Sequence, residues 1–441
     1  MPEYVIIGSS IAGQSAAEAI RERDAHSPIT LVAEEPHRFY SRPGLAYVLR
    51  GDIPEKQIMA RTAEDWRQLK AQIVTARAER LLPDQHQVKL VNGKTLRYDR
   101  LLLATGSVAV PPDFPGRELP GIVKLDNLDD LHHIVKLAGR RKTAVVIGGG
   151  ITALELVEGL RARGVKVHYL MRSGRYWSNV LDETESHLVE DRLREEAVII
   201  HPRTQLKQAL GKRDKLIGVE TVAGERIDCD MLAVAIGVRP RLELAQAAGL
   251  KIERGIVVDE YLRTSAPDVF AAGDVAQVTD PHTGRSSLDV LWSSALAQGR
   301  AAGFNMAGGA TPYRRTVPMN VTQLAGLITT IIGAVGAGRN DDLVTLSRGE
   351  SEQWRSLEPA RAVYARWEAN RIRLQFDDRH IVGAVVMGDQ MWARPLYDLI
   401  SKRIDITSIR DVMLADQSDA FDHLRQFYQE WESTQRASAN L

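Results

Sequence analysis

Cysteine is almost missing from this sequence: Cys229 is the only one in 441 residues. A lone thiol cannot form an internal disulfide, a redox dithiol, a Cys-rich zinc site or a four-thiolate iron–sulfur cluster. Net charge is missing too, because 57 Lys+Arg balance 57 Asp+Glu. The overall field therefore favours neither nucleic acid nor an acidic membrane surface. Long apolar runs are also lacking. The best candidate, 324–335, is short and broken by Gly326, Thr329, Thr330 and Gly333, whereas a membrane span needs about 18 apolar residues or more. The N-terminus has no basic segment followed by an apolar one, since Tyr4-Val5-Ile6-Ile7 reads at once as a strand. A soluble cytoplasmic protein is expected. Hydrophobic residues at 44% and charged residues at 26% are near the globular average. At roughly 150 residues per domain the chain holds two to four domains.

What the sequence does contain is a repeat. Residues 3–13, Glu-Tyr-Val-Ile-Ile-Gly-Ser-Ser-Ile-Ala-Gly, run into a helix ending near Arg21. At an offset of 140, Thr143-Ala144-Val145-Val146-Ile147-Gly148-Gly149-Gly150-Ile151-Thr152-Ala153 runs into a helix ending near Arg161. Each copy is a buried strand, a tight glycine turn and a helix opening on small residues. Second strands follow at Ile29–Ala33 and 165–170. The repeat extends further. Asn92-Gly93 leads to Arg100-Leu101-Leu102-Leu103-Ala104-Thr105-Gly106, and Ala223-Gly224, at an offset of 131, leads to Met231-Leu232-Ala233-Val234-Ala235-Ile236-Gly237. Asn92-Gly93 is a two-residue hairpin signal. Each copy then reads as a hairpin feeding an apolar strand that stops at glycine, where parallel sheets collect ligands. Two dinucleotide folds are expected.

The glycine turns carry the chemistry. Gly8 permits the tight turn and Gly13 permits close helix–strand packing, while Ser10 replaces the middle glycine, where the backbone normally approaches a pyrophosphate. Serine is small enough to fit there and can hydrogen-bond a phosphate. Glu34 follows Gly13 by 21 residues, at a strand end where a carboxylate accepts ribose hydroxyls. The second turn has Gly148 and Gly150, with Ala153 third. Its helix N-terminus can bind a pyrophosphate through free N–H groups and the helix dipole. The strand after it runs into Met171-Arg172-Ser173-Gly174-Arg175, with no acid to meet a ribose 2′-hydroxyl. Two guanidinium groups there favour the 2′-phosphate of NADPH over NADH, unless Arg172 and Arg175 are solvated loop charges.

The ordered set of Gly8 to Gly13, Glu34, Ala104-Thr105-Gly106, Gly148 to Glu155, Ala235 to Pro240 and Ala272-Gly273-Asp274 resembles the two-dinucleotide-domain FAD flavoproteins related to the pyridine nucleotide–disulfide reductases. The likeness covers roughly the first 310 residues, and 381–389 resembles the interface-type domain that follows in that family. Phe39-Tyr40-Ser41-Arg42-Pro43-Gly44-Leu45 resembles the rubredoxin and ferredoxin reductases and the flavin portion of assimilatory nitrite reductases. This resemblance implies that Arg42 contacts FAD and that Asp274 binds its ribityl chain or pyrophosphate. It also implies that the helix after Leu291 and Trp292 points at the flavin's pyrimidine edge, although Trp292 alone can equally be core packing. Glu155 resembles a glutamate near the nicotinamide, with a buried helix-capping acid as the alternative.

The implied cofactor contacts are Gly8, Ser10, Ile11, Ala12, Gly13, Glu34, Glu35, Arg42, Ala78, Ala104, Thr105, Gly106, Gly148, Gly150, Ile151, Thr152, Glu155, Arg172, Arg175, Gly237, Gly273, Asp274, Leu291 and Trp292. Two departures stand out. There is no redox cysteine in the early segment, and Tyr47 lies where many ferredoxin reductases carry a lysine. His132-His133 reads as surface histidines, Cys229 as packing, and no metal is expected.

The expected fold is α/β: two Rossmann-like domains, one for FAD (1–113 and 245–316) and one for NAD(P)H (114–244), plus a C-terminal α+β interface domain (317–441). The expected function is an FAD-dependent NAD(P)H oxidoreductase that passes hydride from nicotinamide to flavin N5 and then electrons to a separate acceptor. No side chain is expected to be catalytic in its own right, because the flavin carries the chemistry. The acceptor is expected to be a rubredoxin, a ferredoxin or a partner subunit, with a homodimer as one arrangement. Two alternatives are a quinone or dye reductase and a flavin-holding subunit with a mainly structural task.

Overall fold

Every residue of Tyr4–Ile7 is buried, as befits an apolar run covered on both faces of a parallel sheet. The computed structural model describes residues 1–279, 284, 286–336, 348–351, 354, 361–367, 370–415 and 419–439. The chain divides into two compact units. One comprises Met1–Arg172, Ala197–Arg315 and Val344–Ser351; the other comprises Ser173–Glu196, Thr316–Leu343 and Glu352–Leu441.

In the first unit, Tyr4–Ile7 is central to a five-stranded sheet in the order Val269–Ala271, Arg100–Leu103, Tyr4–Ile7, Ile29–Ala33, Ala71–Thr75, parallel throughout. A second parallel sheet has the order Ile122–Val123, Met231–Val234, Thr143–Ile147, Lys166–Leu170, Ile199–His201. The four strands from the glycine-stopped one outward correspond copy for copy, so the repeat is structural. The edge beside it differs. Val269–Ala271 comes from far downstream in the first sheet, whereas Ile122–Val123 precedes its sheet in the second.

The hairpins also correspond, with one change from the sequence reading. Gly93 N–H donates to Leu90 O and Leu90 N–H to Lys94 O, each at 2.9 Å. Gly224 to Thr221 and Thr221 to Glu225 repeat this, again at 2.9 Å. The loops are therefore three residues long, with a left-handed glycine at φ 83° or 86° closing a turn-plus-bulge. They are not the two-residue type that Asn92-Gly93 indicated.

Two helix crossings hold this unit together. Helix Ile11–Arg23 packs on Trp292–Met306 so closely that a Cβ on Gly299 or Gly303 would fall 2.2 Å from the carbonyl oxygen of Ala12 or Ala16. Helix Gly44–Arg50, from the first copy, packs on Ile151–Ala162, from the second, with Leu49 against Gly159. Arg163 Nε caps that crossing by donating to Leu49 O at 2.7 Å.

The second unit is built on an antiparallel sheet in the order Met319–Leu324, Leu327–Gly333, Ile381–Met387, Asn370–Phe376, Arg361–Trp367. The interrupted apolar stretch near 324–335 is a hairpin: Ala325 (φ 46°) and Gly326 (φ 79°) form the tight turn whose twist suits paired strands. Helices Ala393–Ser401, Thr407–Ala415 and Ala420–Ala439 follow, and Trp392, Leu396, Met413, Phe421 and Leu424 share one core with Ile372 and Leu374. Helix Glu183–Glu195 joins it through charge. Arg373 Nε donates to Glu185 at 2.9 Å, both groups being almost fully buried, and its other nitrogens donate to Val335 O and Val180 O at 2.7 Å. Among the described residues, no helix is long and apolar enough to cross a membrane.

Candidate functional site

The two glycine turns are built alike. Gly8 (φ +115°) and Gly148 (φ +144°) pass so close to the neighbouring strand end that a Cβ would lie 2.1 Å from Ala104 O or Ala235 O. No other residue type fits both the dihedral and the gap. The position after next is different. Ser10 has φ −79°, ψ −170° and Gly150 has φ −109°, ψ −168°. Both are extended conformations open to any residue, so serine enters the fingerprint without backbone strain.

These turns leave helix N-termini open. Helices Ile11–Arg23, Ile151–Ala162 and Trp292–Met306 have no side-chain cap and no acid in the first turn. Helices Ala63–Leu69, Leu128–Leu137 and Glu183–Glu195 are capped by Thr62, Asn127 and Asp182 and carry acids there. Uncapped N–H groups need a partner, and a phosphate satisfies both them and the dipole. Ile11, Ala12, Ile151 and Thr152 form these first turns. The residues present therefore fit dinucleotides at both copies.

Around the first turn, Glu34 is exposed at the strand end and accepts from Arg241 Nη1 at 2.5 Å. Arg241 is held in turn through its backbone: its N–H donates to Gly106 O at 2.9 Å and its carbonyl accepts from Thr105 Oγ1 at 3.2 Å. Gly237 precedes this stretch, and its own carbonyl accepts from Val110 N–H at 2.9 Å. Ala78 opens the hairpin strand Ala78–Leu82, just after Ala76, whose N–H donates to Ala33 O. Asp274 accepts from Ser107 Oγ at 2.6 Å, and Gly273 N–H donates to Gln298 at 2.8 Å. Burial pushes the Asp274 carboxyl above its usual range, opposed by Arg348, the Ser107 hydrogen bond and Arg42.

Arg42 is locked from several sides. It pairs with Glu35 and donates to Tyr40 Oη at 3.3 Å and to Asp126 O at 2.8 Å. Tyr40 Oη donates to Glu35 at 2.5 Å and accepts from Leu128 N–H at 3.1 Å. Glu35 thus holds Arg42. Leu291 is buried before the open helix, and Trp292 stacks on Phe39 with ring centroids 5.8 Å apart, which is a packing contact.

At the helix crossing, Tyr47 lies under the Arg50 guanidinium, 4.9 Å from the ring centroid. Glu155 faces the same place. Burial raises its carboxyl to about 7, against the pull of Arg50 and Arg348. Tyr47 is also raised by burial, with Arg50 opposing and Glu155 reinforcing. Beyond the strand Lys166–Leu170, Arg172 is exposed. Arg175 belongs to the second unit and is turned onto its own loop, donating to Ser178 O at 3.1 Å. Cys229 is buried and its thiol is pushed up to about 12, chiefly by burial. That is the state of a packing residue and not of a nucleophile.

Sequence reasoning missed Arg241, Ser107, Asp126, Arg50 and Arg348. Ser107 and Arg241 sit one and four residues beyond the glycine stops, which is a usable signal. Asp126 and Arg348 have none, because only the tertiary fold brings them here.

Parallel sheets of matching order, each opening through a glycine turn onto an uncapped helix, define a two-dinucleotide-domain oxidoreductase. The chain belongs to the pyridine nucleotide-disulphide oxidoreductase family, whose model matches residues 2–299. It is 30% identical over 417 residues to an NADH oxidase of Methanocaldococcus jannaschii, covering 92% of this chain and 90% of that one. It is 32% identical over 314 residues to rhodocoxin reductase of Rhodococcus erythropolis, covering 70% and 73%. Among solved structures, the covalent putidaredoxin reductase–putidaredoxin complex superposes with a TM-score of 0.83 at 24% identity, over 97% of this chain and 99% of that one.

Proposed function

We propose that this chain is an FAD-dependent NAD(P)H oxidoreductase that delivers electrons to a separate redox carrier, such as a rubredoxin or ferredoxin, or to a partner subunit. The observation that carries it is the pair of open, glycine-turned helices starting at Ile11 and Ile151, combined with a single buried, unreactive thiol. When bound, FAD supplies the chemistry, accepting two electrons from a nicotinamide and releasing them to the acceptor. The chain's own residues bind and orient. The N–H groups after Gly8 and Gly148 hold pyrophosphates, and Glu34 accepts ribose hydroxyls. Asp274, fixed by Ser107, hydrogen-bonds the flavin's polar chain. Arg42 is held rigid by Glu35 for the same cofactor. Glu155 can hold or release a proton near neutral pH beside the nicotinamide, with Tyr47 and Arg50 closing the crossing around it.

Of the two nicotinamide cofactors, NADPH is favoured, because exposed Arg172 stands where NAD-selective sites place an acid. R172A is then expected to cost NADPH roughly tenfold in kcat/KM and leave NADH unchanged. The domain boundaries proposed are those read from the sequence, with FAD on 1–113 and 245–316. The similarity to rhodocoxin reductase supports a carrier as acceptor.

A second acceptor, dioxygen, is favoured by the name of the NADH oxidase relative. One experiment separates these readings. The purified protein is reduced anaerobically with NADPH or NADH and then offered rubredoxins, ferredoxins, quinones and dioxygen in turn. Rapid reoxidation by a carrier protein supports the proposal, and faster reoxidation by dioxygen favours the oxidase. A protein with no yellow flavin spectrum would sink both.

A further inference from the structure

Helix Leu128–Leu137 is capped from two sources. Asn127 Oδ1 accepts from Asp130 N–H at 2.8 Å, a local cap. The first helical N–H, that of Leu128, goes instead to Tyr40 Oη at 3.1 Å, from 88 residues away in sequence. Tyr40 is 5% exposed and Leu128 2%, so this N–H would be costly to leave unpaired.

The Tyr40 hydroxyl works in both directions. It donates to Glu35 Oε2 at 2.5 Å and accepts from Leu128 N–H and from Arg42 Nη1, the latter at 3.3 Å. A phenol can do this because it is donor and acceptor at once. Burial raises the hydroxyl well above its usual range, with Arg42 opposing and Glu35 reinforcing, so the donated proton stays on the tyrosine. Arg42 Nη1 also donates to Asp126 O at 2.8 Å. The cap residue Asn127 is therefore gripped on both flanks, at Asp126 by Arg42 and at Leu128 by Tyr40. The Asp126 carboxylate is held separately, by Arg348 and by Lys124 at 3.4 Å.

This junction joins two nucleotide folds. On one side, Glu35 follows Glu34 just beyond strand Ile29–Ala33, and Arg42 is the residue assigned above to FAD. On the other, residues 124–128 lie between Ile122–Val123, the edge of the second parallel sheet, and the helix that leads to Thr143–Ile147 and the Gly148 turn. We propose that the Tyr40 hydroxyl is a positioning group that ties Arg42 to the first turn of helix Leu128–Leu137, so that FAD bound in the first fold tightens nicotinamide-nucleotide binding in the second. This rests on FAD occupying the first fold and NAD(P)H the second, as proposed above. When FAD orders Arg42, the shared hydroxyl and the helix start are ordered with it. The second nucleotide then has less left to order, which is positive coupling. Coupling of this kind is reciprocal and usually spans roughly 5–150-fold in affinity.

The test measures NADP+ affinity by titration calorimetry, in apoprotein and in FAD-saturated protein, for wild type, Y40F and N127A. NAD+ replaces NADP+ if wild type binds it more tightly. N127A removes the local cap of the same helix and leaves Tyr40 its partners, while the thermal midpoint of each apoprotein reports the structural cost. Wild type is expected to bind the nucleotide about tenfold tighter with FAD present. In Y40F the two affinities should agree within about threefold, the apoprotein value staying at that of wild type. N127A should lower the thermal midpoint and keep the wild-type ratio. A Y40F ratio equal to that of wild type overturns the inference, as does a wild type with equal affinities. Loss of the ratio in N127A as well makes Tyr40 an ordinary structural cap and overturns it too. A Y40F protein that is unfolded, or folded but unable to take up FAD, does the same. Wild type that binds neither FAD nor a nicotinamide nucleotide would instead defeat the underlying functional proposal.

Discussion

Glu34 Oε2 accepts a 2.5 Å hydrogen bond from Arg241 Nη1, tying the end of the second strand to a residue just beyond Pro240. The pair is exposed, so it contributes little to stability, about 1 kcal/mol or less. The same carboxylate is the group proposed to accept the ribose. E34A should therefore weaken FAD binding roughly ten- to hundredfold, the range for one hydrogen bond to a charged group. R241A should leave affinity within about threefold and stability within about 1 kcal/mol. Fluorescence titration of apoprotein with FAD measures the first pair of values, and urea unfolding the second. Equal losses in both variants would assign Glu34 to structure alone.

Gly8 and Gly148 make the same close approach in different copies, so alanine in each should disable different cofactors. G148A should keep the yellow flavin but lose reduction by NADPH and NADH at least a hundredfold, because the turn must move to relieve a Cβ only 2.1 Å from Ala235 O. G8A should fail to hold flavin. Absorbance at the flavin band and stopped-flow reduction distinguish the two outcomes.

Glu155, raised by burial to about 7 with Arg50 and Arg348 opposing, makes a signed pH prediction. A carboxyl with a native pKa above its unfolded value binds extra protons in the native state. Its stabilising contribution is full below about 4.5 and is lost as pH rises through about 7. E155Q, which cannot ionise, should lack that loss. Its stability relative to wild type should be greater at pH 8 than at pH 5 by on the order of 2 kcal/mol. The rate of nicotinamide-driven flavin reduction should titrate near pH 7 in wild type and be flat there in E155Q. Thermal unfolding and stopped-flow at the two pH values check both.

Arg373 and Glu185 form a buried pair at 2.9 Å. R373M leaves the buried Glu185 carboxyl only the more distant Arg371, at 3.8 Å, as a cationic partner, a defect costing about 3 kcal/mol. The double variant R373M/E185L should recover much of that, because the pair itself is worth little against apolar packing. Urea denaturation of the four members of the cycle gives the coupling directly.

The two sheets were legible in the sequence because their signal is local. Buried strand, glycine turn and helix N-terminus lie within some ten residues, and the copies reinforce each other. The strands Met319–Leu324 and Leu327–Gly333 were not legible, since Gly326, Thr329 and Thr330 read as interruptions of an apolar run. Only the register, which pairs Leu324 with Leu327, turns them into a hairpin. At the site, the glycines and Glu34 announce themselves by spacing. Arg348 cannot, because its partner lies 222 residues away and the chain between them follows no local pattern. The pairing of Arg172 with Arg175 was read from adjacency alone. The second guanidinium is spent on its own loop, donating to Ser178 O.

The edge strand Val269–Ala271 has a consequence for how the chain is made. During synthesis, the strands from Ile122–Val123 to Met231–Val234 emerge together and can close their sheet at once. The earlier strands Tyr4–Ile7 and Arg100–Leu103 must wait for residue 271 before that edge is covered, and for 292–306 before their helix finds its partner. The domain begun first is thus the one completed last. A free fragment ending near residue 250 should protect the sheet containing Thr143–Ile147 and Met231–Val234 from protease while leaving the sheet of Tyr4–Ile7 and Arg100–Leu103 cleavable.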